Sequence, residues 1–136
     1  MGVEQEEVVR QLLRRATGRQ QDVDGMVGLM SEDIVWELPI RSRKLIGREA
    51  CRAEIERQNA RAGGILPESQ IRNIVSNDRV VFTERVDVFE MAGQKVHLPV
   101  SGIFEVEHGT IAAWRDYFDI AAVALQLGVD VSAMIE

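Results

Sequence analysis

Cysteine is nearly absent: Cys51 is the only one in 136 residues, so the chain can form no internal disulfide and cannot by itself build a thiolate metal site. Histidine is almost as scarce, since His97 and His108 are too few for the usual zinc sets, and a site without metal or cofactor is the expectation. No stretch approaches the roughly 20 apolar residues that span a bilayer. The start, Met1-Gly2-Val3-Glu4-Gln5-Glu6-Glu7, has no basic segment leading into an apolar one. Glycine-rich phosphate loops are missing too. A soluble cytoplasmic protein is expected. Positive charge is in deficit, with 16 basic against 22 acidic residues and a formal charge of −6. That balance disfavours nucleic acid and anionic membrane as partners, and the expected ligand is small and not strongly anionic.

What is present reads as one α+β domain over residues 1–136, long enough to bury a real core. Val8, Val9, Leu12, Leu13 and Ala16 repeat at helical spacing, with acids before them and Arg14 and Arg15 after, so Val3 to Ala16 is predicted as a helix closed by Gly18. Asp22 is a plausible N-cap for a second helix running to Met30, and Ser31-Glu32-Asp33 reads as a turn. Ile34 to Leu38 is a strand ended by Pro39. The basic loop Arg41-Ser42-Arg43-Lys44 follows, then a helix from Glu49 to Ala60 and the linker Ala62-Gly63-Gly64. From there the period shifts to two. Strands are predicted over Ser69–Val75, Val80–Glu90, Lys95–Glu107 and Thr110–Phe118, with turns at Met91-Ala92-Gly93-Gln94 and His108-Gly109. An apolar helix, Ile120 to Leu127, stops at Gly128. Three helices on a curved, mostly antiparallel sheet would enclose a pocket.

Two strands carry charge among apolar residues. Strand parity puts Val81, Thr83, Arg85, Asp87 and Phe89 on one face, and Ala112, Trp114, Asp116 and Phe118 on one face of the last strand. A sheet with one wet face would leave Arg85 and Asp87 in solvent; a sheet covered on both faces would turn them into a cavity. Successive hairpins would bring Asp116 near them across one intervening strand, with Gly102 leaving room between. An isolated buried carboxylate is costly unless paired. Residue types alone fit a stabilising ion network as well as a catalytic site. Two carboxylates that share one arginine and little water do not both ionise easily, so one is expected to keep its proton near neutral pH while the other stays charged. An acid opposite a base suits addition of water to an epoxide, and equally proton transfer beside a carbonyl.

Thr83-Glu84-Arg85-Val86-Asp87, Leu98-Pro99-Val100-Ser101-Gly102-Ile103-Phe104-Glu105-Val106 and Trp114-Arg115-Asp116-Tyr117-Phe118-Asp119, with Ser31-Glu32-Asp33 and Gly47-Arg48-Glu49, resemble the limonene-1,2-epoxide hydrolase family. The likeness runs from the second helix almost to the end of the chain. It implies the cone-shaped fold shared with nuclear transport factor 2, ketosteroid isomerase and SnoaL-like proteins, and a homodimer. It also implies cofactor-free, one-step hydrolysis of a small apolar epoxide with no covalent enzyme intermediate. Carried over by residue, Asp87 would protonate the epoxide oxygen, Asp116 would activate water and Arg85 would bridge them.

One departure stands out. The family holds its water with a tyrosine and an asparagine on the first strand, and those positions align with Trp36 and Leu38, the candidate substrate-binding residues here. Tryptophan donates one hydrogen bond and accepts none; leucine does neither. The resemblance therefore leaves a hydrolase that positions water differently, an epoxide-opening cyclase or isomerase, and a small-molecule-binding protein. Cys51 reads as an idle thiol, His97 as a strand residue of no assigned role, and the basic loop as a solvated rim.

Overall fold

The structure, a computed structural model, describes residues 2–39, 43–60 and 68–135. Helices α1 (Val3–Arg15) and α2 (Val23–Val27) precede strands β1 (Met30–Leu38) and β2 (Arg43–Ile46). Then come α3 (Arg48–Ala60), β3 (Glu68–Ser76), β4 (Val80–Met91), β5 (Gln94–Glu107), β6 (Thr110–Tyr117), α4 (Ile120–Leu127) and the short α5 (Ser132–Ile135). The strands form one sheet in the order β2-β1-β6-β5-β4-β3, antiparallel throughout except where β1 runs parallel to β6.

Helix α1 forms for the reasons its sequence suggests: Glu4 and Glu6 occupy the first turn, Arg14 and Arg15 the last, and Val9, Leu12 and Leu13 are buried. Burying a side chain of that size contributes roughly 1.5–3 kcal/mol, enough to fasten the helix along β3 and β4, which it contacts. Helix α3 covers β1 and β2. Asp22 caps α2 by accepting from the Gly25 backbone N–H at 3.0 Å, and Asp119 caps α4 by accepting from that of Ala121 at 2.9 Å.

Three local expectations are corrected. Helix α2 ends at Val27 rather than Met30, and Ser31-Glu32-Asp33 belongs to β1 instead of forming a turn. The cause is tertiary: the Ile111 backbone N–H donates to the Leu29 carbonyl at 2.8 Å and Met30 pairs with Ile111, so β6 draws this segment into the sheet. The second half of the basic loop is also strand, since Arg43 and Lys44 open β2 and pair with Leu38 and Glu37. Charged side chains suit such a short edge strand. Ala62-Gly63-Gly64, Arg41 and Ser42 lie outside the described residues.

The long strands carry two apolar clusters on a single face. Val81, Phe104, Val106, Ile111 and Trp114 pack with α1, α2 and α3 at one end, while Val96, Leu98 and Val100 pack with Val123 of α4 at the other. Along β5 the buried positions alternate from Val96 through Val106, and between Val100 and Phe104 stands Gly102. The gap it leaves is where the charged residues meet.

Candidate active site

Register places the residues. Thr83 of β4, Gly102 of β5 and Asp116 of β6 lie in one row across three strands, and Arg85 pairs with Val100 one step along. The guanidinium of Arg85 reaches Asp116 over the missing side chain of Gly102. A Cβ built on Gly102 would stand 2.3 Å from Arg85 Nη1, 2.8 Å from Asp116 Oδ1 and 2.9 Å from Thr83 Oγ1. Only glycine fits without displacing them. The charged face of β4 is thus the inner one: Thr83, Arg85 and Asp87 are buried, whereas Phe82 and Glu84 on the reverse side are exposed. Val86 and Val88 farther along that reverse side are buried as well, so the sheet is wet on only part of its outer face.

Arg85 bridges both carboxylates. Its Nε donates to Asp87 Oδ1 at 3.0 Å, and its Nη2 donates to Asp116 Oδ2 at 2.8 Å and more weakly to Asp87 Oδ2 at 3.3 Å. Nη1 donates to Thr83 Oγ1 at 3.3 Å, and Thr83 donates in turn to the Gly102 carbonyl. Arg85 is 2% exposed. Burial pulls its pKa down, but the charges of Asp116 and then Asp87, with their hydrogen bonds, outweigh that and hold it above the ordinary arginine value. The site therefore contains a permanent cation between two carboxylates.

Each aspartate has one further donor. Ser69 Oγ, opposite Asp87 in the β3–β4 register, lies 2.8 Å from Asp87 Oδ1, and Trp114 Nε1 donates to Asp116 Oδ1 at 2.9 Å. Sequence reading assigned neither residue a role. Ser69 lay beyond a hairpin count: the turn pairs Ser76 with Val81, which by count alone sets Ser69 against Val88, and a bulge between Ile71 and Asn73 shifts it onto Asp87. Trp114 was placed on the face of Asp116 without a contact to recommend it.

Trp36 pairs with Trp114 on the adjacent strand, and their rings stack. Its Nε1 is the one side-chain nitrogen or oxygen among the described residues that is buried with no hydrogen-bond partner. Leu38 follows Glu37, which pairs with Arg115, so Leu38 flanks Asp116; it is partly buried against the main core. A cavity of about 380 Å³ opens between α1 and β3, within the range of small-ligand sites, roughly 300–1,000 Å³. Ser69 lines it and is hydrogen-bonded to Asp87, while Arg85, Asp87 and Asp116 themselves do not border it. His97, by contrast, is exposed. Cys51 is buried in α3, where burial pushes its thiol up to about 11, in keeping with an idle group.

Comparison with known proteins bears on the same segments. Residues 3–127 match the family described as limonene-1,2-epoxide hydrolase catalytic domain. The epoxide hydrolase EphG of Mycobacterium tuberculosis is 33% identical over 102 residues, which cover 75% of this chain and 66% of that protein. The chain thus spans just under two thirds of that relative's length. The structure of an M. tuberculosis LEH-like epoxide hydrolase superposes with a TM-score of 0.74 at 27% identity, covering 92% of this chain and 96% of that one. A Catenulispora acidiphila protein with a ketosteroid isomerase-like fold gives 0.80 at 19% identity, covering 93% and 95%, a likeness of fold alone.

Proposed function

The chain belongs to the limonene-1,2-epoxide hydrolase family, and from that premise we propose that it hydrolyses a small or medium apolar epoxide without a cofactor, in one acid–base step. What carries the reading is the single guanidinium, Arg85, hydrogen-bonded to Asp87 and Asp116 at once between two apolar clusters. Asp116 takes a proton from water as the water oxygen bonds to an epoxide carbon. The C–O bond of the ring breaks, and its oxygen takes the proton of Asp87. One proton is held by the pair before and after, so Arg85 faces the same net charge throughout. Return of the proton from Asp116 to Asp87 resets the site.

The geometry supports this division of labour. Nη2 of Arg85 lies closer to Asp116 than to Asp87, and Asp87 Oδ2 accepts only that 3.3 Å contact, leaving it the oxygen most open to a proton. Ser69, whose hydroxyl both donates and accepts, suits Asp87 in either state. Trp36 and Leu38 are read as substrate- and nucleophile-contacting groups, the Nε1 of Trp36 being a buried donor without a partner. We read the protein as a single domain, a homodimer and cytoplasmic; among the described residues no helix is long and apolar enough to cross a membrane.

The hydrogen-bond inventory favours one second reading. Asp116 accepts, Trp36 donates and Leu38 offers nothing, which matches an alcohol, with one hydrogen and one carbon on its oxygen, better than water with two hydrogens. A hydroxyl on the substrate would then close a cyclic ether.

Single turnovers in ¹⁸O-water separate the two. Hydrolysis puts the label in a diol in the first turnover, while ring closure gives an unlabelled cyclic ether. Asp116→Asn is expected to lower either reaction about 100- to 10,000-fold with ligand binding retained. A variant as active as the parent, or a parent inert on a panel of epoxides while binding apolar ligands, removes the enzymatic reading in favour of a binding protein.

A further inference from the structure

We propose that the cavity between α1 and β3 seats the tail of the substrate and that Arg10 at its rim binds a carboxylate, so that the preferred substrates are epoxy acids. The inference rests on the epoxide-opening reading and adds the substrate class. The cavity is graded in polarity. Ser69, bonded to Asp87, marks the reactive end with Glu68 beside it, Leu13 and Ile71 supply apolar wall, and Arg10 and Arg14 are its cations, Arg10 the nearer of the two to the start of α1, which meets the far end of β3 through the Glu6–Ser76 hydrogen bond.

Those charged groups differ in what they already hold. Arg14 donates to Glu7 Oε1 at 2.9 Å, and its backbone carbonyl accepts from the Thr17 hydroxyl at 2.6 Å. Glu68 accepts from the Gln70 amide at 2.9 Å. Arg10 is half-buried and has no hydrogen-bond or ion-pair partner among the described residues, so it is the cation free to meet a ligand. Its charge still reaches Glu7, whose pKa is lowered first by the hydrogen bond from Arg14 and least by Arg10. Guanidinium and carboxylate match in shape and bind through parallel N–H donors. The four residues from Arg10 to Arg14 rise about 6 Å along α1, room for a few carbons between the acid and the ring.

The test pairs an epoxy fatty acid with its methyl ester, which has the same ring and chain and no charge. The parent is expected to show a KM about 10- to 100-fold lower for the acid, the factor that a charge-assisted hydrogen bond gives. That acid-to-ester ratio should collapse to about one in Arg10→Gln, recover in part in Arg10→Lys and invert in Arg10→Glu. Rising salt should narrow it in the parent. Equal KM values in the parent, or a ratio unchanged in Arg10→Gln, overturn the proposal. If neither compound is turned over, the epoxide reading has failed, and calorimetry with a saturated medium-chain carboxylate still decides the subsite: binding lost in Arg10→Gln upholds it, while binding equal in both proteins, or absent from the parent, refutes it.

Discussion

The indole rings of Trp36 and Trp114 lie face to face, with centroids 4.3 Å apart and planes within 3° of parallel, and of the two only Trp114 has a partner for its N–H. The parallel pairing of β1 with β6 puts the residues side by side, so the stack braces the ring that holds Asp116 Oδ1. The carboxylate is fixed at both ends, by Arg85 on one oxygen and Trp114 on the other.

Trp114→Phe keeps an aromatic ring beneath Trp36 and removes that donor. A hydrogen bond to a charged group contributes about 1.5–3 kcal/mol, so kcat should fall roughly 10- to 100-fold in a protein that remains folded. Steady-state kinetics beside a thermal melt provide the check. A kcat within about twofold of the parent would mean that Trp114 does not position Asp116.

Gly102→Ala inserts a methyl group against Arg85, Asp116 and Thr83 at distances no side chain tolerates. Arg85 must swing away from the row, and overpacking of this kind costs about 1–3 kcal/mol. Urea unfolding should report that loss, and turnover should fall far more than stability does. An alanine variant with parental activity would remove Arg85's bridge from the mechanism.

Glu105 on β5 accepts from Arg115 Nη1 at 2.8 Å, and that bond, assisted by Arg79, holds its pKa below the ordinary 4.5. Because the folded value is the lower one, the stabilisation is present above the unfolded pKa and is lost as pH falls through the folded one. Glu105→Gln should therefore cost up to about 1 kcal/mol at neutral pH and nothing once both states are protonated. Unfolding free energies of parent and variant that stay apart at low pH would contradict this.

How far the sequence could be read depended on the range of the interactions. Helix α1, the four long strands and both tight turns were legible because their signals are local. At the second turn, for example, His108 and Gly109 adopt φ of 51° and 76°, a conformation that glycine accepts freely. The end of α2 and the strand character of Ser31 to Asp33 were not, since both follow from a parallel partner some eighty residues away. Strand β2 was obscured by its charges, which an edge position tolerates.

At the candidate site the sequence alone determined which side chains share a face, because the period of a strand is two and does not depend on its neighbours: Arg85 with Asp87, Trp114 with Asp116. Whether that face looked inward was a tertiary matter, decided by α1 and α4 packing against it at opposite ends. Tertiary structure also chose the partners. Ser69 for Asp87, Trp114's N–H for Asp116 and the opening at Gly102 for Arg85 depend on side-chain directions and on the register of four strands, and hydrogen bonds fail over tenths of an ångström, a precision that spacing along a chain does not encode.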